Sequence, residues 1–323
     1  MTQLAFAEEF FKKWDSGDEF FTLTTSGTTG SPKNWKLHRE ALIWSAESTR
    51  KTWLSQQSSL AQDCFLPVNK AGGFMQLVRS KVWNAPVKIY SASANPLLDQ
   101  DPTNPITSFT PMQLANILSQ TESIQKLKLY TVLLIGGQAI TADLESKLLE
   151  VCAPSALLIH TFGSTETASH FAGRILNKER NQFFQTTQGT DIRNNPITQQ
   201  LEIKNPTTQN QWLTTNDLVE IINSNQFKWL GRKDLIINSG GVKIQIEVLE
   251  NHIALLTGWP LGTFYVKGKL HPELGESVAL YTLHQIDNDL LEIQLQGLPK
   301  FHHPKHIEMV NNIPLTETGK VKR

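Results

Sequence analysis

Residues 24–33 read Thr24-Thr25-Ser26-Gly27-Thr28-Thr29-Gly30-Ser31-Pro32-Lys33, a run of small hydroxyls and glycines closed by a lysine. Gly27 and Gly30 permit left-handed backbone that turns N–H groups inward, the hydroxyls add donors, and Lys33 adds a point charge. That combination suits the phosphate chain of a nucleotide. A Walker-type loop, G-x-x-x-x-G-K-[ST], needs its lysine directly after the second glycine and a metal-binding hydroxyl next. Here Ser31-Pro32 follow Gly30 and Asn34 follows Lys33, so the spacing argues against that loop. Pro32 would also remove a backbone donor. For the segment taken alone, a solvated Ser/Thr/Gly linker is the plain alternative.

Working outward, Phe20–Leu23 reads as a strand feeding this loop, and a helical pattern resumes over 38–54, so the loop is expected to be a strand-to-helix turn. Residues 4–14 read as an amphipathic helix carrying Leu4, Phe6, Phe10, Phe11 and Trp14. Strands are expected at 63–67, 87–90, 131–135 and 156–160. Helices are expected from Ala71 through Arg79, at 110–120 after Thr110-Pro111, and at 141–151 with Thr141 as cap. This alternation predicts an α/β fold with a mostly parallel sheet covered on both faces, its ligands lying beyond the carboxyl ends of the strands. From about 180 to 233, short alternating segments such as Gln200–Lys204 predict a small antiparallel β subdomain. Beyond Asp234 a helix near 245–256 and strands near 261–267 and 277–283 predict a compact, mobile α+β C-terminal domain. The expected division is therefore 1–233, a large domain, and 234–323.

The chain has 323 residues, 39% of them hydrophobic, enough for two cores. Lys plus Arg and Asp plus Glu number 30 each, so no overall field would draw nucleic acid or an anionic membrane. Cys64 and Cys152 lack the spacing of a zinc site or a disulfide framework and are expected to be small buried hydrophobes. The apolar N-terminal stretch is interrupted by Glu8, Glu9 and Lys12, and no run approaches a membrane span. A soluble, cytoplasmic protein is the expectation, with small molecules as its partners.

Five later segments follow the loop in order: Gly136-Gly137-Gln138-Ala139, Thr161-Phe162-Gly163-Ser164-Thr165-Glu166-Thr167, Thr215-Asn216-Asp217, Gly231-Arg232-Lys233-Asp234, and Pro314-Leu315-Thr316-Glu317-Thr318-Gly319-Lys320. Together they resemble the adenylate-forming superfamily of acyl-CoA synthetases and peptide-synthetase adenylation domains. Thr165–His170 and Ile237–Ile244 narrow the resemblance to the branch that joins o-succinylbenzoate to coenzyme A. Members usually carry a long region before the phosphate loop, so the resemblance implies a short form in which that region is absent or replaced.

The resemblance implies ATP, Mg2+ and coenzyme A as ligands, and roles for particular residues. Thr25, Ser26, Gly27, Thr28, Thr29, Gly30 and Lys33 would hold the β and γ phosphates. Thr165 would contact the α-phosphate, and Glu166 would hold magnesium, although an acid in a first helical turn is also an ordinary cap. Gly136, Gly137, Phe162 and Gly163 would wall the adenine, with Phe162 equally suited to plain core. Asp217 would accept both ribose hydroxyls, with Asn216 standing where relatives commonly have glycine, and Arg232 would reach ribose or phosphate. Asp234 would be a hinge, Lys320 would meet the reacting carboxylate, and Gly240, Gly241 and Lys243 would line the coenzyme A tunnel. The acyl pocket would draw on Asn69, Lys70, Gly72, Gly73, Arg79, Ser169 and His170. The cation for an unreacted carboxylate would be Lys70, Arg79, His170 or Arg174. The same pattern admits a ligase for another acid or for a carrier-protein thiol, and a non-catalytic nucleotide-binding relative.

Overall fold

A computed structural model describes residues 2–24, 34–176, 182–315 and 321–322. The chain opens with α1 (Gln3–Asp15), capped by Thr2, whose Oγ1 accepts from the Ala5 N–H at 3.2 Å. Phe10, Trp14 and Ala7 form its buried stripe. The strand β1 (Phe20–Thr24) then pairs antiparallel with β2 (Asn34–His38), Phe20 opposite His38 and Thr24 opposite Asn34. This corrects one expectation: residues 25–33 join two strands of a hairpin and not a strand to a helix. The reason lies in Trp35-Lys36-Leu37, which alternates like a strand. Leu37 is buried while Lys36 swings out over the Phe20 ring, 3.9 Å from its centre. The helix expected from 38 begins directly afterwards as α2 (Arg39–Thr49) and continues as a π turn over Arg50–Leu54.

The remaining elements are β3 (Gln62–Cys64), α3 (Ala71–Val82), β4 (Val87–Ile89), β5 (Ile106–Phe109), α4 (Pro111–Leu118), α5 (Thr121–Leu127), β6 (Val132–Ile135), α6 (Ala142–Val151) and β7 (Leu157–Gly163); they alternate as expected, except that strand β5 and helix α5 were not foreseen in the sequence. Strands β4, β3, β5, β6 and β7 lie side by side and parallel. On β6, Leu133 and Ile135 face the cluster formed with α4, α5 and α6, while Val132 and Leu134 join Leu54 and Trp83 on the other side. Both faces are therefore covered, which is why a four-residue strand here is apolar throughout.

The sheet does not end at β7. Strand β8 (His170–Ile175) reverses direction beside it, and β9 (Phe183–Thr186), β10 (Asp191–Asn194), β11 (Gln200–Lys204), β12 (Leu213–Asn223) and β13 (Gln226–Arg232) follow. All eleven form one sheet in the order β10-β11-β12-β13-β9-β8-β7-β6-β5-β3-β4. The antiparallel region is thus an extension of the parallel one. After Arg232 the strands β14 (Ile236–Ser239), β15 (Val242–Gln245), β16 (Phe264–His271), β17 (Gly275–Thr282) and β18 (His306–Met309) build a separate five-stranded sheet. Helices α7 (Ile246–Thr257) and α8 (Asn288–Leu295) contribute Leu249, Ile253, Leu291 and Leu295 to its core.

Both cysteines are buried, and burial pushes their thiols up to about 12 at Cys64 and about 11 at Cys152, so they behave as apolar filler. Among the described residues no helix is long and apolar enough to cross a membrane.

Candidate active site

The carboxyl ends of β3, β5, β6 and β7 adjoin one another, and the motif residues emerge there. Gly136 ends β6 against Thr161 of β7. A Cβ at Gly136 would strike the Thr161 hydroxyl, which itself donates to the Ile135 carbonyl at 3.0 Å. Gly137 has φ +92, a conformation that favours glycine. Phe162 is half-buried and touches the rings of Phe171, Phe184 and Phe227 at centroid distances of 5.1–5.7 Å. Part of its surface is therefore core, as the plainer reading had it. Gly163 sits where β7 and β8 slip register, and a Cβ there would run into the Ser169 carbonyl and the His170 backbone.

Between those strands Thr165–Thr167 form a single tight turn. The Thr167 hydroxyl donates to the Ser169 carbonyl at 2.6 Å and accepts from the Ser164 N–H at 3.0 Å. Ala168, fully buried, is held at φ +61, a strained conformation for a residue with a Cβ. This knot sets Thr165 and Glu166 just beyond the carboxyl end of β7. Glu166 is half-buried, and among the described residues its carboxylate has no ion pair or hydrogen bond. A hard cation with phosphate ligands fits such a group; the knot is tied by Ser164 and Thr167, so Glu166 is not needed as its cap.

Residues 25–33, including Thr25, Ser26, Gly27, Thr28, Thr29, Gly30 and Lys33, lie outside the described residues, as does Lys320. The hairpin stem is nevertheless placed. Leu23 and Leu37, on either side of the loop, share one buried cluster with Ala168, Val68, Phe74 and α1. The β1–β2 stem and the Glu166 turn are thus anchored in the same core.

Asp217 on β12 lies opposite Arg232 on β13. Its Oδ1 accepts from the Trp229 indole N–H at 3.0 Å. Burial pushes its carboxyl above the usual range, against the pull of the Trp229 hydrogen bond and the Arg232 charge. Trp229 was not foreseen in the sequence; the only signal was its place across the β12–β13 ladder, which no motif records. Arg232 does not point freely outward. Its Nε and Nη2 donate to Asp234 Oδ1 and Oδ2 at 2.9 and 2.6 Å, and Asn216 Nδ2 donates to Oδ2 at 3.3 Å. The residues expected at the ribose and at the hinge are therefore joined.

Gly240 and Gly241, with φ +55 and +81, form the two-residue turn between β14 and β15. Such a turn demands φ > 0 at both positions. A Cβ on Gly240 would meet Phe301 at 2.6 Å, while one on Gly241 would meet nothing within 4 Å. Backbone conformation alone accounts for both glycines. Lys243 is exposed on β15.

At the end of β3, Asn69 is exposed and Lys70 half-buried ahead of α3. Gly72 and Gly73 let α3 start hard against Leu66 and Pro67: a Cβ on Gly72 would lie 2.9 Å from the Leu66 side chain, and one on Gly73 would collide with the Pro67 carbonyl. Two turns on, Arg79 is 2% exposed, and its Nη2 lies 3.5 Å from His170 Nδ1. No carboxylate pairs with it among the described residues, its Nε has no partner, and burial lowers its pKa to about 10. His170 is buried with Nε2 2.9 Å from Thr49 Oγ1, and Ser169 Oγ is 3.4 Å from Nδ1. Burial, then the Arg79 charge, hold His170 neutral. Arg174 is removed from the candidates: both its terminal nitrogens bind Glu145 of α6, at 3.1 and 2.6 Å, in a pair buried to about a tenth exposure.

The family of AMP-binding enzymes matches residues 5–212, and the chain belongs to that family. Among particular relatives, it is 25% identical to the 2-succinylbenzoate–CoA ligase of Listeria monocytogenes, over 98% of this chain and 71% of that protein. It is also similar to a solved acyl-CoA synthetase (AMP-forming)/AMP-acid ligase II-like protein from Dyadobacter fermentans, at 29% identity and TM-score 0.65 over 98% of this chain and 91% of that one. The o-succinylbenzoate CoA synthetase of Bacillus subtilis, solved with its acyl-adenylate intermediate, shares the fold at TM-score 0.78, with 20% identity over 94% of this chain and 67% of that one.

Proposed function

We propose that this chain is an acid–CoA ligase that uses ATP and magnesium to adenylate o-succinylbenzoate and then passes the acyl group to coenzyme A. Membership of the AMP-binding family supports the reaction class, and the name of the Listeria relative supports the acid. The observation that carries the substrate class is Arg79, a buried guanidinium with no carboxylate partner among the described residues. A buried cation in this state costs several kcal/mol unless an anion joins it, which a second carboxylate on the substrate would do.

In the first step a carboxylate oxygen attacks the α-phosphorus, the bond to the β-phosphate oxygen breaks, and pyrophosphate leaves. In the second, the coenzyme A thiol loses its proton, sulfur bonds to the acyl carbon, and AMP departs. Positioning and charge neutralisation dominate such chemistry. Glu166 and Thr165 would meet magnesium and the α-phosphate, the hydroxyl-rich loop with Lys33 the outer phosphates, and Asp217, steadied by Trp229, the ribose. Magnesium would neutralise phosphate charge. Lys320 would serve adenylation, and the domain from Asp234 onward would turn to bring Gly240, Gly241 and Lys243 to the thiol in a soluble, cytoplasmic enzyme.

The test is pyrophosphate release across a panel of carboxylic acids, followed by thioester formation with coenzyme A. Release dependent on o-succinylbenzoate is expected. Adenylation of other aryl or fatty acids but not this one would leave only the reaction class.

A further inference from the structure

Arg79 is held by a chain of hydrogen bonds that starts outside every motif. Thr49 closes α2 at the point where the helix widens into the π turn Arg50–Leu54. Its hydroxyl has one proton, and the Ser45 carbonyl lies in reach of it at 2.9 Å. With the proton on that carbonyl, Thr49 Oγ1 is left to accept from His170, whose Nε2 lies 2.9 Å away. A neutral imidazole that carries its proton on Nε2 presents a bare lone pair at Nδ1, and Nδ1 is the atom facing Arg79 Nη2 and the Ser169 hydroxyl, at 3.5 and 3.4 Å. The π turn also brings Trp53 against the same ring, with centroids 5.5 Å apart. Trp53 further backs onto Gly173 of β8, where a Cβ would come within 3.0 Å of it. A single-turn widening in an otherwise regular helix often marks a functional position.

We propose that Thr49 and His170 are positioning residues for acid recognition: Thr49 fixes His170 as the Nε2–H tautomer, and the Nδ1 lone pair then holds the Arg79 guanidinium where it meets the second carboxylate of the acid. This rests on the reading of Arg79 as the acid-binding cation. With the other tautomer, Nδ1–H would face the guanidinium, donor against donor, and Arg79 would lose its only described hydrogen-bond contact, keeping only the Trp83 ring 5.8 Å away. Thr49 thus acts on the substrate through two intervening residues.

Two measurements test this. The first is the 15N resonance pair of His170 in the intact wild-type protein without ligands, assigned by comparison with His170→Gln. The Nε2–H tautomer is expected, and an Nδ1–H tautomer or an imidazolium at neutral pH overturns the proposal. The second is the kinetic pair Thr49→Val and Thr49→Ser. Valine keeps the shape and removes the acceptor, so KM for o-succinylbenzoate should rise about tenfold while KM for ATP holds, and serine should restore it. A KM for the acid that valine leaves unchanged, or that serine does not restore, overturns the proposal. If Thr49→Val fails to fold, the wild-type tautomer decides. If the wild type adenylates no dicarboxylic acid at all, the functional reading fails separately, while the tautomer still reports whether Arg79 is held in this way.

Discussion

Arg232 and Asp234, two residues apart, close on each other through two hydrogen bonds of 2.9 and 2.6 Å while Asn216 reaches the same carboxylate from the neighbouring strand. Glycine at 216 would lack this third contact. The pair is about a third exposed on each side, so its worth to stability is at most about 1 kcal/mol. Asp234→Ala should therefore shift thermal stability little. If Asp234 is the hinge, the variant should slow thioester formation at least about tenfold more than adenylation, read by separate pyrophosphate and thioester assays. Equal slowing of both steps would remove the hinge assignment.

Asp217 carries a cost to the fold. Burial raises its carboxyl pKa, so its contribution to stability is fully present below the ordinary carboxylate pKa and is lost as pH rises through the folded value. Asp217→Asn keeps an acceptor for Trp229 and removes the buried charge. Denaturant melts at pH 7 should show it at least as stable as the wild type, with ATP binding weakened; clear destabilisation would contradict this account.

Glu166 makes no described ion pair or hydrogen bond, so replacing it should leave the fold alone. Glu166→Gln should lose at least about a hundredfold in adenylation and require far more magnesium, with an unchanged melting temperature. A variant that loses stability in step with activity would return Glu166 to a structural role.

Acid should weaken the protein through its buried imidazoles. His160 is nearly enclosed, its Nε2 beside the Gln138 carbonyl, and burial with the nearby Arg174 charge lowers its pKa to about 3. His170 is lowered in the same direction. The stability of keeping such a ring neutral is present above about pH 6.5 and drains as pH falls below it, for His160 down to about 3, by up to about 1.4 kcal/mol per pH unit. Urea melts at pH 7, 6 and 5 should show the loss, and His160→Gln should reduce its slope by close to one proton.

Much of the architecture was legible because long-period patterns are local. The apolar runs Val132–Ile135 and Leu157–Ile159 and the cap at Thr141 declare themselves within a few residues. The hairpin stem did not, because Asn34–His38 becomes a strand only by pairing with Phe20–Thr24. Nor did the continuity of the eleven-stranded sheet, which depends on β8 turning back beside β7. At the site, the motifs marked Glu166, Asp217 and Gly136 by position. They could not mark Trp229 or Thr49, whose roles come from contacts across 12 and 121 residues of sequence. Arg174 looked equal to Arg79 until its Glu145 partner appeared, since sequence carries no record of which cation is already neutralised.

Helix α1 touches no motif residue in sequence, yet Phe10 and Trp14 share their cluster with Leu23, Leu37 and Ala168. The first helix is thus the common foundation of the β1–β2 hairpin stem and the Thr165–Thr167 turn, and what steadies one steadies the other. ATP with magnesium should accordingly slow amide hydrogen exchange throughout residues 3–15, a distant echo of occupancy in a segment that holds no ligand.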